Sequence, residues 1–236
     1  MYHHSLIVIS GIAGDAYSAP QNTWTNQLHQ QFPHALVNKY RFSQSSVRHG
    51  LHGFDLKREA RFIRDQLLSS NNEDDGAGNL PIIFIARDLG VSLAKQVILL
   101  FHEDGISTKL QDRIKALFTF DTLHPAADAV RWKHYLDQLL KKYYRHSPLL
   151  SHFLSDLPET LQKIEAEFVS VSFSLKVFGL EMDIQGRNYE ESTGNVPNLP
   201  WYLRFGESML DFLCNKFSLL VMETSRGENI EVVILR

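Results

Sequence analysis

The stretch Leu80-Pro-Ile-Ile-Phe-Ile-Ala-Arg-Asp-Leu-Gly-Val-Ser-Leu-Ala-Lys-Gln-Val-Ile-Leu-Leu100 changes its periodicity part-way along. From Ile82 to Ile85 it is a short apolar run, mostly β-branched or aromatic. Such a run predicts a strand buried on both faces of a parallel sheet. Apolar residues then return at Leu89, Leu93, Val97 and Leu100. Spacings of three and four place them on one helix face. Between the two patterns lies Ala86-Arg-Asp-Leu-Gly90, a turn with a small residue at each end. The chain therefore reads strand, tight turn, helix.

This pattern resembles the nucleophile elbow of the α/β-hydrolase fold, Gly-x-Ser-x-Gly. The elbow needs small residues two before and two after its centre, because strand and helix nearly touch there. Ala86 and Gly90 meet that demand, while Asp88 stands where a serine esterase carries Ser. The longer string from Pro81 to Gln96 is similar to the elbow of lipase-like serine esterases. Those occur as single proteins and as N-terminal domains of fungal multidomain signalling proteins. The resemblance implies an α/β-hydrolase-like, doubly wound, mainly parallel sheet with a small helical cap. It implies equally that the catalytic position has lost its serine.

Composition sets the outer bounds. A chain of 236 residues is most simply one α/β domain over 1–236, although length alone also permits two. Hydrophobic residues at 44% and charged residues at 22% supply a sizeable core. A net charge of −3 gives no basic bias, so nucleic-acid binding is not expected. The one cysteine, Cys214, rules out an internal disulfide and favours a reducing, cytoplasmic setting. Met1-Tyr-His-His-Ser5 lacks the basic region and apolar core of a signal peptide. No apolar run approaches the roughly 20 residues of a membrane span.

The remaining segments alternate strand and helix. Leu6–Ser10 reads as a buried strand followed at once by Gly11-Ile-Ala-Gly-Asp15. That loop is neither a Rossmann fingerprint nor a P-loop. It resembles the His-Gly-x-x-Gly loop of lipase-like hydrolases, with Ser10 at the His position. The resemblance implies an oxyanion loop formed by the backbone N–H groups of Gly11 and Ile12, completed by Leu89 after the elbow. A plain Gly-rich turn is the alternative, and both readings stay open. Further strands are expected near 35–42, 116–121, 169–178 and 217–223, with 169–178 nearer a sheet edge. Trp24 to Phe32 reads as a helix. Asp55 can cap another, whose core face is Leu56, Ala60, Ile63 and Leu67. The basic residues Lys57, Arg58, Arg61 and Arg64 then form a solvated face, with a phosphate-binding patch as the alternative. Asp156-Leu-Pro-Glu159 has capping-box spacing and suggests a helix start, with Leu161, Ile164 and Phe168 buried. Residues 128–168 look like the helical cap over the pocket of lipase-like folds. Asn229–Leu235 reads as a last strand returning through the turn Ser225–Glu228.

The catalytic constellation is incomplete. Asp121-Thr-Leu-His-Pro-Ala-Ala-Asp128 looks like the family's Gly-Thr-Pro-His-x-Gly-x-Asp segment, keeping Thr122, His124 and Asp128. In the family, acid and base follow the nucleophile in chain order. That order implies Glu181 at the acid position and a base after about Met222. The chain has 11 histidines, and the last is His152. No histidine follows Glu181, so the family's triad cannot be assembled. An elbow Asp is itself usable chemistry: haloalkane dehalogenases and epoxide hydrolases of this fold attack carbon with a carboxylate. They still need a histidine to hydrolyse the ester, and here only His124 is placed to serve. A structural hydrogen bond is the preferred role for His124. Arg87 could neutralise Asp88 in an ion pair instead.

Three functions follow. The first is a catalytically degenerate hydrolase-like domain that binds a protein partner or a small acyl-type ligand. The second is a hydrolase with Asp88 as nucleophile. The third is an N-terminal signalling domain cut from a larger chain. No cofactor and no metal ion are called for by any motif. Partner contact or self-association is expected through Trp132, Tyr135, Tyr143 and Tyr144, the loop around Trp201 and Tyr202, or the short apolar strand Glu231–Leu235.

Overall fold

A computed structural model describes residues 3–11, 24–41, 56–69, 80–87, 89–103, 108–120, 149–171, 175–180 and 233–235. In chain order the elements are β1 (His4–Ser10), α1 (Trp24–Gln31), β2 (Ala35–Arg41), α2 (Leu56–Ser69) and β3 (Ile82–Arg87). They continue with α3 (Leu89–Glu103), the single turn α4 (Thr108–Gln111), β4 (Ile114–Phe120), α5 (Leu149–Val171), β5 (Lys176–Leu180) and β6 (Val233–Leu235). The strands form one sheet in the order β2-β1-β3-β4-β5-β6, and every pairing between them is parallel. Parallel neighbours require a crossover between them, and from β1 to β5 the described helices lie in those connections.

Strand alternation sorts the apolar residues onto two faces. Ile7, Ile9, Phe84, Ala86 and Leu117 face one core, which they share with α2, α3 and α5. Leu6, Val8, Ile83, Ile85 and Phe118 face the other, with Leu28 of α1. Phe118 and Phe178 are register partners on β4 and β5, and their rings stack at 4.8 Å on that second face. Because β1, β3 and β4 are covered on both sides, each carries a continuous apolar run (Leu6–Ile9, Ile82–Ala86, Ala116–Phe118) rather than a strict alternation, as expected for a parallel sheet.

The helix α3 is more deeply enclosed than its sequence face suggests. Leu89, Leu93, Val97 and Leu100 are buried, but so are Val91, Ala94, Ile98, Leu99 and Phe101. A helix apolar nearly all round belongs between neighbours, and α3 lies beside both α2 and α5. The buried face of α2 is Leu56, Ala60, Ile63 and Leu67, as its spacing predicts. Arg58 and Arg61 are exposed, and Lys57 reaches Glu103 of α3 at 3.1 Å.

Two expectations are corrected. Residues 169–171 belong to α5 rather than to a strand, and β5 starts only at Lys176. The alternation Val169-Ser-Val171 suggested a strand. Phe168 and Val171, however, are three apart and pack against the core as helix neighbours, and Val169 is left 58% exposed. Second, α5 does not begin at Asp156. It starts at Leu149 and carries Pro158 inside it. The apolar spacing Leu150, Leu154, Leu157, Leu161 runs through the capping-box signal and continues the helix upstream. From 149 onward the segment 128–168 is thus a crossover helix, buried against α3 and the core of that face through Leu157, Leu161, Ile164 and Phe168. Residues 128–148, where the rest of the cap is expected, lie outside the described residues. The last strand, β6, joins β5 in parallel (Phe178↔Val233), while the turn Ser225–Glu228, through which a return was expected, lies outside the described residues. The intervening chain from 181 to 232 gives the length a parallel crossover needs. The strand expected near 217–223 lies outside the described residues.

The α3–α5 contact contains a charge. Lys95 is 5% exposed, and its Nζ lies 2.6 and 2.5 Å from the two carboxylate oxygens of Glu165. The ammonium also sits 5.2 Å from the centre of the Phe168 ring. A buried ammonium without its carboxylate loses its solvation with nothing in return. Removing Glu165 should therefore cost more than removing the pair's cation. Glu165→Ala is expected to lower stability by roughly 1–3 kcal/mol, a value reduced by the partial exposure of the carboxylate. Lys95→Met, which leaves no buried charge, is expected to cost clearly less. Urea denaturation of the two variants measures the difference.

Candidate functional site

A doubly wound sheet has a place where the chain, having wound outward on one side, returns to wind the other way. Here β1 leads to β2 on one side, and the next strand, β3, is laid on the other side of β1. In sheets wound in this order, ligands commonly bind outside the carboxyl ends of the two strands where the winding reverses. In register, those ends are Ser10 and Arg87. The sequence-singled segments Gly11–Asp15 and Ala86–Gly90 start at this edge.

Strand β3 ends at Arg87 and α3 begins at Leu89, so position 88 is the one residue between them. The packing around it is severe. A Cβ on Gly90 would lie 2.5 Å from the carbonyl oxygen of Ile9, 3.0 Å from its carbon and 3.1 Å from the nitrogen of Gly11. All three are backbone atoms that no rotamer change can move. The first turn of α3 thus lies directly on the end of β1, and glycine is demanded there by close approach. Ala86 is fully buried, flanked in register by Ile9 and Thr119. The contact at Gly90 is the physical content of the second small residue of the signature read in the sequence.

The local electrostatics follow from the same placement. The first N–H groups of α3 have no partner within the helix and point toward the carboxyl edge of the sheet. With the helix dipole they favour negative charge at that spot. Gly11, buried at the end of β1, brings its own nitrogen to the same corner. Of the expected site residues, Gly11 and Leu89 are therefore brought together, on adjoining ends of β1 and α3. Asp88, Ile12, His124 and Glu181 lie outside the described residues. Arg87 closes β3, half-buried, with Ser10 and Phe120 as its register neighbours. On the next pair, Thr119 donates a long hydrogen bond of 3.4 Å to the carbonyl of Phe178. Among the described residues no group of three or more His, Cys, Asp or Glu could hold a metal ion. Nor is any described helix long and apolar enough to cross a membrane.

No protein-family model and no curated protein matches the chain. Solved structures do resemble it. One described as an α/β-hydrolase fold protein of unknown function has a TM-score of 0.50 at 11% identity, covering 97% of this chain and 90% of its own. Human thioesterase 2 gives a TM-score of 0.37 at 12% identity, over 92% and 97% of the two chains. RedJ, a thioesterase of the prodiginine biosynthetic pathway in Streptomyces coelicolor, gives 0.39 at 14% over 75% and 65%. The first likeness and the sheet topology together define the fold: this is an α/β-hydrolase-like, doubly wound, mainly parallel structure.

The Lys95–Glu165 pair escaped the sequence reading. The available signal was a lysine within an otherwise apolar helix, which argues for a buried partner.

Two glycines allow a direct test of the packing. Gly90→Ala should lower stability by about 2 kcal/mol or more, because backbone must move to admit the methyl group. Gly179→Ala should stay within about 1 kcal/mol, since its Cβ would meet only the Thr119 hydroxyl, at an ordinary 3.4 Å. Thermal and chemical melts of the two variants report the contrast.

Proposed function

We propose that this chain is a lipase-like α/β-hydrolase domain whose catalytic site is degenerate and whose role is binding or signalling. The observation that carries the reading is chemical: Asp88 stands at the nucleophile position, and no histidine follows His152. Ester cleavage on this fold needs a nucleophile and a base that takes its proton. Glu181, at the acid position, has no histidine behind it in the chain to orient. His124 would have to act as base from the connection after β4, and a structural hydrogen bond in that loop is the simpler role.

The placement of position 88 supports a structural duty for the aspartate. A residue directly before a helix can serve as its N-cap, and aspartate is among the best N-caps. Its carboxylate suits the exposed N–H groups and the positive end of α3. In that role Asp88 would occupy the anion position that Gly11, Ile12 and Leu89 would otherwise offer to an oxyanion. A single domain over 1–236 is supported by the sheet itself: β1 starts at His4, β6 ends at Leu235, and both belong to it. In this reading the cap of segment 128–168 lies ahead of the buried part of α5. Its aromatic residues, with the switch point of the sheet, offer the surface for a protein partner, a second copy or a small acyl-type ligand.

The protein is expected to show no turnover of nitrophenyl acetate or butyrate above the buffer rate. Asp88→Ser should not restore activity, because no late histidine exists to activate the hydroxyl. Turnover that vanishes in Asp88→Asn would instead make Asp88 a nucleophile. Stability gives an independent readout. Asp88→Ala should cost roughly 1 kcal/mol, whereas Asp88→Asn and Asp88→Ser, which also cap, should cost a few tenths. A gain in stability on replacing Asp88 would be the mark of a strained functional carboxylate.

A further inference from the structure

The opposite edge of the sheet carries a pair of histidines that the hydrolase-like site does not use. Strands β1 and β2 run parallel with His4 beside Ala35. One step earlier on each chain stand His3 and His34, at the same level of the register. The backbone holds them there: the His3 N–H donates to the His34 carbonyl at 2.8 Å. Both residues are exposed. Their imidazole rings meet with centroids 5.5 Å apart and planes at 71°.

That spacing has a chemical meaning. A zinc–imidazole bond is about 2.0–2.1 Å long, and the ring centre lies roughly 1 Å beyond the nitrogen. Two imidazoles on one tetrahedral zinc ion therefore have centres about 5 Å apart. The observed separation of 5.5 Å lies within about half an ångström of that value. Exposed surface leaves water free to fill the remaining positions, as an open zinc site requires. His4 adds a third imidazole nearby, half-buried and pushed below the ordinary histidine value first by burial and then by His3. It does not complete a three-residue cluster.

We propose that His3 and His34 form a two-imidazole site for a divalent transition ion of the zinc type, bridging the starts of β1 and β2. The ligand class follows from the donors: neutral nitrogen suits zinc, nickel and copper, whereas calcium and magnesium require oxygen. Bound, the ion would tie the first strand to the outer strand β2. The site lies at the amino edge of the sheet, away from the switch point at its carboxyl edge. Its occupancy and the reading of Asp88 therefore stand or fall separately.

Isothermal titration of the full chain with zinc chloride, after treatment with chelator, tests the proposal. Zinc is the probe because it does not displace backbone amide protons as copper does. The expected result is one ion per chain. His3→Asn and His34→Asn should each weaken binding at least about tenfold, because each removes one arm of a chelate. The double variant should bind scarcely worse than either single one, since one arm alone gains nothing from the other. A zinc-dependent rise in melting temperature should disappear in all three variants. His29→Asn, on the exposed side of α1, should leave binding unchanged. The substituted positions are exposed, so the fold is preserved. If His34→Asn binds zinc within about twofold of the parent, the pair is not the site. Magnesium competing as well as zinc would equally overturn the assignment.

Discussion

The approach of the first turn of α3 to the end of β1 constrains the rest of this structure. Backbone meets backbone there, at a distance that excludes even a methyl group on Gly90. That contact fixes where α3 starts and how close it lies to the sheet. It also brings together the carboxyl ends of β1 and β3, the two strands between which the winding reverses. The enclosure of α3 follows, since a helix pressed so near the sheet must be apolar toward the sheet and toward α2 and α5 as well. The charge of Lys95 is tolerated in this setting because Glu165 reaches it from α5. The layer on that face is thus held by apolar burial, with one ion pair joining the two helices.

Much of this was legible in the sequence because parallel sheets leave strong local signatures. Ile82 to Ile85 and Leu6 to Ile9 are apolar runs too short for helices, each followed by small or turn-forming residues. The four-residue core face of α2 was readable from its spacing alone. The failures share a cause. Val169-Ser-Val171 is locally a strand pattern, and Asp156-Leu-Pro-Glu159 is locally a helix start. Both are overridden by the long-range demand that Leu157 to Phe168 lie against α3. Tertiary burial outweighs a cap or a short alternation, whose contributions are about 1 kcal/mol or less. The partner of the last strand could not be read either. Val233–Leu235 is equally apolar whether it pairs in parallel or antiparallel, and only the sheet order decides.

The candidate site was legible in its steric part and only partly in its chemistry. Gly90 could be named from sequence because close approach admits one residue type. The same cannot be said of Lys95, whose partner lies 70 residues away and leaves no local trace. His3 and His34 likewise mean little until the register of β1 and β2 places them side by side.

These differences bear on how the elbow signature should be interpreted. Gly90 is required by the contact of α3 with β1, whatever residue stands at position 88. Ala86, at the end of β3, is fully buried. Their presence is accordingly evidence for the fold and says nothing about catalysis. A side chain on Gly90 would meet the backbone of Ile9 and Gly11 and push the first turn of α3 off the end of β1. A domain of this fold needs that glycine whether or not it cleaves esters, so the steric half of the elbow signature and its chemical half are separate evidence, and only the first belongs to the fold.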